Sequence, residues 1–335
     1  MIQQAISKLI DKKDLSIVEA REVMDEIMSG KTTPAQIAGF LVALRLKGET
    51  IDEITAFAQV MRKKAQTIHP KGNLLDVVGT GGDKSGTFNI STAAAFVTAG
   101  ANIKVAKHGN KCVSSQSGSA DVLTALGINI NLQPAQVEKC IDEIGIGYMF
   151  APSFHNAMKY AIGVRKELGV RTVFNILGPL TNPAEAKYEL MGVFDEKLVE
   201  PLAEVLGNLG CKHALVVHGN GLDEVTLDGK TKIAEFEDDH VRTYEIKPTD
   251  FKIKLANLQE IKGGSAEQNG KIILDILHGK EKGPKKDIVV LNSAAAIYAA
   301  DKASSIKEGI DMAIDSVDSK KALEKLSKLK EWTSR

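Results

Sequence analysis

The stretch DVVGTGGDKSGTFNISTAAAFVTAGANIKVAKHGNKCVSSQSGSADVLTALG, Asp76 to Gly127, decides the fold. The apolar run Leu74–Val78 leads into it and reads as a buried parallel strand. That run ends in Gly79-Thr80-Gly81-Gly82-Asp83, where residues without a Cβ let backbone N–H groups approach a ligand closely. Asn89-Ile90-Ser91-Thr92 then opens the helical run Ala93–Ala99, and a helix N-terminus attracts anions through its unpaired N–H groups. A second apolar run, Ile103–Ala106, is followed by Lys107-His108-Gly109-Asn110-Lys111 and by the hydroxyl-rich Ser114-Ser115-Gln116-Ser117-Gly118-Ser119. Two strands that each end in a glycine-bearing polar loop make an anion site at the carboxyl edge of a parallel sheet.

Outward from this stretch, short apolar runs alternate with helical patterns. Strands are expected at Leu74–Val78, Ile103–Ala106, Gly147–Phe150, Leu190–Phe194, Ala214–His218 and Ile288–Leu291. Helices are expected at Ala120–Leu126, Ala135–Ile144, Leu198–Leu209 and Ala266–Leu277, and Lys230–Ile246 alternates as a β-hairpin. The alternation predicts a mostly parallel sheet flanked by helices. The first 65 residues carry no strand signal and read as four helices. Capping boxes at Ser16/Glu19 and Thr50/Glu53, and the N-cap pair Thr33-Pro34, mark three of their starts. The fold class is therefore α/β, with a small N-terminal all-helical domain ahead of a larger α/β domain.

The chain has 335 residues, enough for about two domains of roughly 150 residues each. Its 43 basic and 43 acidic residues cancel, which argues against a nucleic-acid partner. No apolar run approaches the ~20 residues of a membrane span, and no signal-like core opens the chain. Cys112, Cys140 and Cys211 are too scattered for a disulfide framework or zinc site, so a cytoplasmic location is expected. Cys112 reads as a small filler, since no triad pattern supports a nucleophile. The spacing of Gly79 and Gly81 fails the dinucleotide fingerprint because Lys84 stands where its third glycine belongs. No Gly-Lys-Ser/Thr follows to complete a P-loop, so neither a nicotinamide cofactor nor ATP is the expected ligand.

Taken alone, several of these residues have two readings. Ser91 and Thr92 read as anion contacts or as caps of the following helix, the commoner role. Asp223-Glu224 reads as solvated surface, or as hard oxygen ligands in the loop after strand Ala214–His218. Arg165 alone reads as a surface ion pair with Glu167 or a neighbour. His108 reads as a structural histidine or as a substrate contact.

In order and spacing, GTGGD (79–83), NISTAAAFV (89–97), KHGN (107–110) and SSQSGSADVL (114–123) closely resemble the anthranilate phosphoribosyltransferases. The likeness continues through FAPSFH (150–155), VRKELG (164–169), FNILGPLTNP (174–183), Asp223-Glu224 and LNSAA (291–295), and so covers effectively the whole chain. Lys111 stands where the family usually has arginine, and Gln116 where it often has lysine. The resemblance implies transfer of a phosphoribosyl group from phosphoribosyl pyrophosphate (PRPP) to the amine of anthranilate, a step of tryptophan biosynthesis. It implies PRPP contacts from Gly79, Gly82, Asp83, Thr87, Asn89, Ile90, Ser91, Thr92, Lys107, His108, Gly109, Asn110, Lys111, Cys112, Val113, Ser114, Ser115 and Ser119. It implies anthranilate contacts from Gly79, Asn110 and Arg165, and two magnesium ions on Ser91, Asp223 and Glu224. No residue stands out as a covalent or acid–base catalyst, as suits an oxocarbenium-like transition state.

The same resemblance implies a helical, dimer-forming domain from residues 1–70 and about 165–190, an α/β domain from 71–164 and 191–335, and a homodimer. Two rivals share this architecture. Pyrimidine nucleoside phosphorylases lack the NIST and KHGN combination, and nucleic-acid-binding relatives need a positive stripe that a neutral chain does not supply.

Overall fold

A computed structural model describes residues 1–111 and 117–335. Four helices come first: α1 (Ile2–Ile10), α2 (Ile17–Met28), α3 (Pro34–Lys47) and α4 (Ile51–Lys64). The expected starts are present, with Ser16, Thr33 and Thr50 each accepting the N–H three residues on, from Glu19, Gln36 and Glu53. Each cap satisfies a donor that the helix itself leaves unpaired.

The α/β part runs β1 (Leu74–Gly79), α5 (Ile90–Gly100), β2 (Lys104–Gly109), α6 (Ser119–Ala125), α7 (Pro134–Ile144), β3 (Ile146–Phe150), α8 (Ala151–Phe154), α9 (Lys159–Leu168), α10 (Phe174–Leu177) and β4 (Tyr188–Gly192). It continues with α11 (Val199–Asn208), β5 (His213–Gly219), β6 (Thr231–Glu237), β7 (His240–Ile246), α12 (Ala266–Leu277), α13 (Pro284–Ala299), α14 (Ile306–Asp318) and α15 (Lys321–Thr333). The seven-stranded sheet has the order β3-β2-β1-β4-β5-β6-β7. The first five strands in that order are parallel, and β6 and β7 close one edge antiparallel. The hairpin expected over 230–246 is β6–β7, turning on Asp238 and Asp239 at φ 50° and 61°.

The chain fills the sheet outward from β1 to β3, then returns to β4 on the other side of β1. That reversal makes β1 and β4 the switch point, beyond whose carboxyl ends open α/β sheets bind ligands. One sheet face is covered by α5, α13, α14 and α15. The other carries α11 and shares a single apolar core with the N-terminal helices and with Val164, Phe174, Leu177 and Leu180.

Two expectations require correction. Ile288–Leu291 is not a strand but the first half of α13, whose apolar residues are buried on every side. A short β-branched run wrapped by protein has no periodicity to distinguish the two states, and Pro284 at the first helical position carried the better signal. β2 also extends beyond Ala106, so Lys107, His108 and Gly109 are strand residues paired to Tyr148, Met149 and Phe150 of β3.

Candidate active site

Gly79 and Gly192 end β1 and β4 and pair with each other in register. The loop after β5 reverses through Asn220 and Gly221, both at positive φ, and folds back over these strand ends. Asp223 lands on the two glycines: a Cβ on Gly79 would stand 2.5 Å from its Oδ2, and one on Gly192 would overlap its backbone carbonyl. The glycines therefore admit an acidic loop at the switch point. Asn292 of α13 holds that loop in place, accepting from Val225 N–H and donating to Val225 O, each at 2.9 Å.

Asp223 Oδ2 accepts the Gly81 N–H at 2.7 Å, and Glu224 Oε1 accepts the Ser91 N–H at 3.1 Å. The loop after β1 and the first turn of α5 are thus drawn to one acidic corner. Burial first, then the charge and hydrogen bond of Asp83, push the Asp223 carboxyl up to about 7. Burial and the neighbouring Asp223 hold Glu224 well above the usual carboxylate range, against the pull of Lys107. Lys107, itself lowered by burial despite Asp76 and Glu224, donates to Val77 O and lies 3.5 Å from Ser91 Oγ. Asp83, Asp223 and Glu224 outnumber this cation. An acidic corner of hard oxygens, whose raised carboxyls would ionise as a cation replaces their protons, fits divalent magnesium.

Around this corner the loop after β1 alternates handedness, with positive φ at Gly81, Gly82, Lys84 and Gly86. Asp83 accepts the Ser85 N–H at 3.0 Å, and Arg171 donates to Gly82 O while its own carbonyl accepts from Arg45 of α3 at 2.7 Å. Thr87 forms an antiparallel bridge with Lys262. Thr92 is buried with an unpartnered hydroxyl. Ile90 points into the core, and its N–H is committed to Phe88 O, so neither its side chain nor its amide is free for a ligand. Ser119 Oγ lies 2.9 Å from Tyr148 Oη and 3.3 Å from Asn110 O, joining the end of β2 to the start of α6. Gly109 has no room for a Cβ against Ser119 and Tyr148. Asn110 and Lys111 are exposed. Cys112, Val113, Ser114, Ser115 and Gln116 lie outside the described residues.

A histidine pair was not legible in the sequence. His108 bonds Gly178 O at 3.2 Å through Nδ1, and His155 donates to the Thr181 backbone. Their ring centroids are 5.1 Å apart, and both Nε2 atoms are buried without a partner. Burial, and for His108 the second ring, lowers both, His155 to about 4, so each is a neutral acceptor. Arg165 is half-buried and lowered by burial, with its guanidinium 5.4 Å from the Phe174 ring centroid. Among the described residues it has no carboxylate partner, which removes the surface-pair reading with Glu167. Among those residues, the one three-residue His/Cys/Asp/Glu cluster close enough for a metal is elsewhere, at His213, Glu235 and Glu237. Glu235 there is saturated by His213, Arg242, Tyr244 and Tyr298.

A glycine-lined acidic corner beside a helix N-terminus, at the switch point of a helix-bundle α/β protein, suits a polyanion held through a divalent cation. Residues 3–65 match the glycosyl transferase family helical bundle domain and residues 71–323 the glycosyl transferase family a/b domain. The chain is 54% identical to the anthranilate phosphoribosyltransferase of Petrotoga mobilis over 336 aligned residues, covering 100% of this chain and 97% of that one. It superposes on the crystal structure of anthranilate phosphoribosyltransferase from Thermus thermophilus with a TM-score of 0.95 and 44% identity, over 99% of each chain. The Saccharomyces cerevisiae enzyme in complex with PRPP and Mg matches with a TM-score of 0.91 and 28% identity, over 99% of this chain and 98% of that one. The chain belongs to the anthranilate phosphoribosyltransferase family.

Proposed function

We propose that the chain transfers the phosphoribosyl group of PRPP to the amine of anthranilate, with the acidic corner holding the diphosphate end through magnesium. The C1–O bond to pyrophosphate breaks, the amine nitrogen bonds C1, and the nitrogen sheds one proton. The products are N-(5-phosphoribosyl)anthranilate and pyrophosphate. Bound magnesium, two ions in this reading, neutralises charge on the departing pyrophosphate and is held by Ser91, Asp223 and Glu224.

The backbone of Gly79–Asp83, Thr87 and the first turn of α5 receive the phosphates, with Asn89, Ser91 and Thr92 at that turn. Lys107–Lys111 and Ser119 close the other side. The Arg165 fork receives the anthranilate carboxylate, and Asn110 and Gly79 flank the ring. An aromatic amine is neutral near physiological pH, so it attacks as the free nucleophile without a dedicated base.

The observation that carries this reading is the seating of Asp223 on Gly79 and Gly192, which sets an acidic loop against the carboxyl end of β1. The segments 1–70 and about 165–190 form a unit that moves against 71–164 and 191–335, and its closure excludes water from the diphosphate ester. That unit also carries the exposed apolar residues Ile10, Val18, Leu46 and Val170, which support a homodimer. No helix among the described residues is long and apolar enough to cross a membrane, and a cytoplasmic site of action is part of this proposal. The test is loss of anthranilate fluorescence with PRPP and Mg²⁺. Turnover that a chelator abolishes supports the reading, and the absence of turnover, or turnover indifferent to the chelator, counts against it.

A further inference from the structure

The substrate loops are held from behind by a chain of side-chain amides. Asn269, in the first turn of α12 and 2% exposed, accepts the Gly264 N–H at 2.8 Å and donates to Asn89 Oδ1 at 3.0 Å. Asn89 donates in turn to the Ser117 carbonyl at 3.1 Å. The polarity is forced from both ends. Gly264 N–H can only donate and Ser117 O can only accept, so each amide has one allowed orientation. Asn89 is also the residue whose carbonyl accepts the Ala93 N–H at 3.1 Å as α5 begins. The Gly264 end is laced to the loop after β1, since Gly263 N–H donates to Gly86 O at 3.0 Å and Gly263 packs against Phe88. One directional chain therefore ties together the loop after β1, the start of α5 and the segment entering α6.

These are the elements that carry Asp83, Ser91, Thr92 and Ser119. We infer that Asn269 is a positioning residue for PRPP: it sets the spacing between the phosphate-facing turn of α5 and the Ser119 side of the site without touching the substrate itself. The inference rests on the functional reading above. A site built from three separate loops binds a polyanion tightly only if their spacing is set beforehand, and a buried hydrogen-bonded amide sets it at little entropic cost. Nothing in the local sequence around 269 announces the role, because its partners lie 180 and 5 residues away.

The experiment compares Asn269→Asp, Asn269→Ala and the control Ile273→Val, a fully buried position on the same helix outside the chain of amides. Asn269→Asp keeps an acceptor for the Gly264 N–H but has no donor for Asn89, so it cuts one link. Steady-state kinetics for both substrates are read together with calorimetric binding of PRPP in Mg²⁺. Loss of one buried hydrogen bond in Asn269→Asp predicts a rise of about tenfold in the PRPP Kd and KM, and Asn269→Ala, which loses both of the amide's bonds, shows at least that rise. The anthranilate KM stays near the wild-type value, and Ile273→Val changes neither. Wild-type PRPP affinity in Asn269→Asp overturns the inference alone, and so does an equal rise in both KM values. Failure of both Asn269 variants to fold also overturns it, since the residue is then purely architectural. Wild-type protein that binds no PRPP overturns the site reading itself, a separate result.

Discussion

The backbone carbonyl of Asp223 rests on the Cα of Gly192, close enough that no side chain fits between them. Gly192 ends β4 and Asp223 follows β5, so the contact is a crossing of main chain over main chain rather than a side-chain preference. Gly192→Ala must lift the acidic loop. Overpacking of this kind costs about 1–3 kcal/mol, and here the displacement falls on the proposed metal ligands. The expected result is a rise in the Mg²⁺ concentration needed for half-maximal activity, with a well-folded protein by circular dichroism. An unchanged Mg²⁺ requirement would sink this assignment.

Arg165 is half-buried and, among the described residues, has no carboxylate partner. If its fork serves the substrate carboxylate, Arg165→Ala removes a charge-assisted interaction of about 1.5–3 kcal/mol, roughly ten- to a hundredfold in the anthranilate KM. The PRPP KM should hold steady. Equal losses for both substrates would count against the role.

Glu189 is wholly buried in β4, directly beside Asp76 of β1, and among the described residues neither of its carboxyl oxygens has a partner. Burial first, then Asp76, holds it well above the usual carboxylate range, against the nearby Arg62. The folded protein therefore keeps a proton that the unfolded chain releases near pH 4.5. Between that pH and the higher folded value the unfolded state binds fewer protons, so stability falls as pH rises. Glu189→Gln removes this slope. Urea denaturation from pH 4.5 to 8 should show the variant gaining on the wild type as pH increases, and parallel curves would contradict it.

His213 resembles Glu189 in sign, and its unfolded reference is the higher one, 6.5 against 4.5. Burial disfavours its charge, but hydrogen bonds to Glu235 and Asp301, at 3.1 and 2.6 Å, outweigh burial and raise it above 6.5. Its contribution is complete below pH 6.5 and disappears as pH rises through the folded value. The stability difference between wild type and His213→Gln should shrink from pH 6 to pH 9, with both substrate KM values unaffected. A constant difference would exclude the titration.

Local signals carried the reading of this chain furthest. Capping boxes at Ser16 and Thr50 involve partners three residues apart, the Thr33-Pro34 start needs only neighbours, and the glycine loop at 79–83 sits at the end of its strand. The features missed are long-range. Lys107 and His108 enter β2 because Val77 O and Gly178 O receive their polar ends, partners 30 and 70 residues away. Asn182 bonds Asp76 and Ala106 O inside the protein, while Asn292 reaches Val225 across the site. Ile288–Leu291 failed for a different reason: a helix buried all round loses the amphipathic period that distinguishes it from a strand.

The central claim is that PRPP binds where β1, α5 and the end of β2 meet beneath Asp223 and Glu224. A crystal structure of the protein with PRPP and Mg²⁺ tests this most directly. The account predicts the diphosphate against Gly79–Thr92 and residues 107–119, with metal density bounded by Ser91, Asp223 and Glu224. A diphosphate ordered elsewhere, with those three residues free of metal, would contradict it.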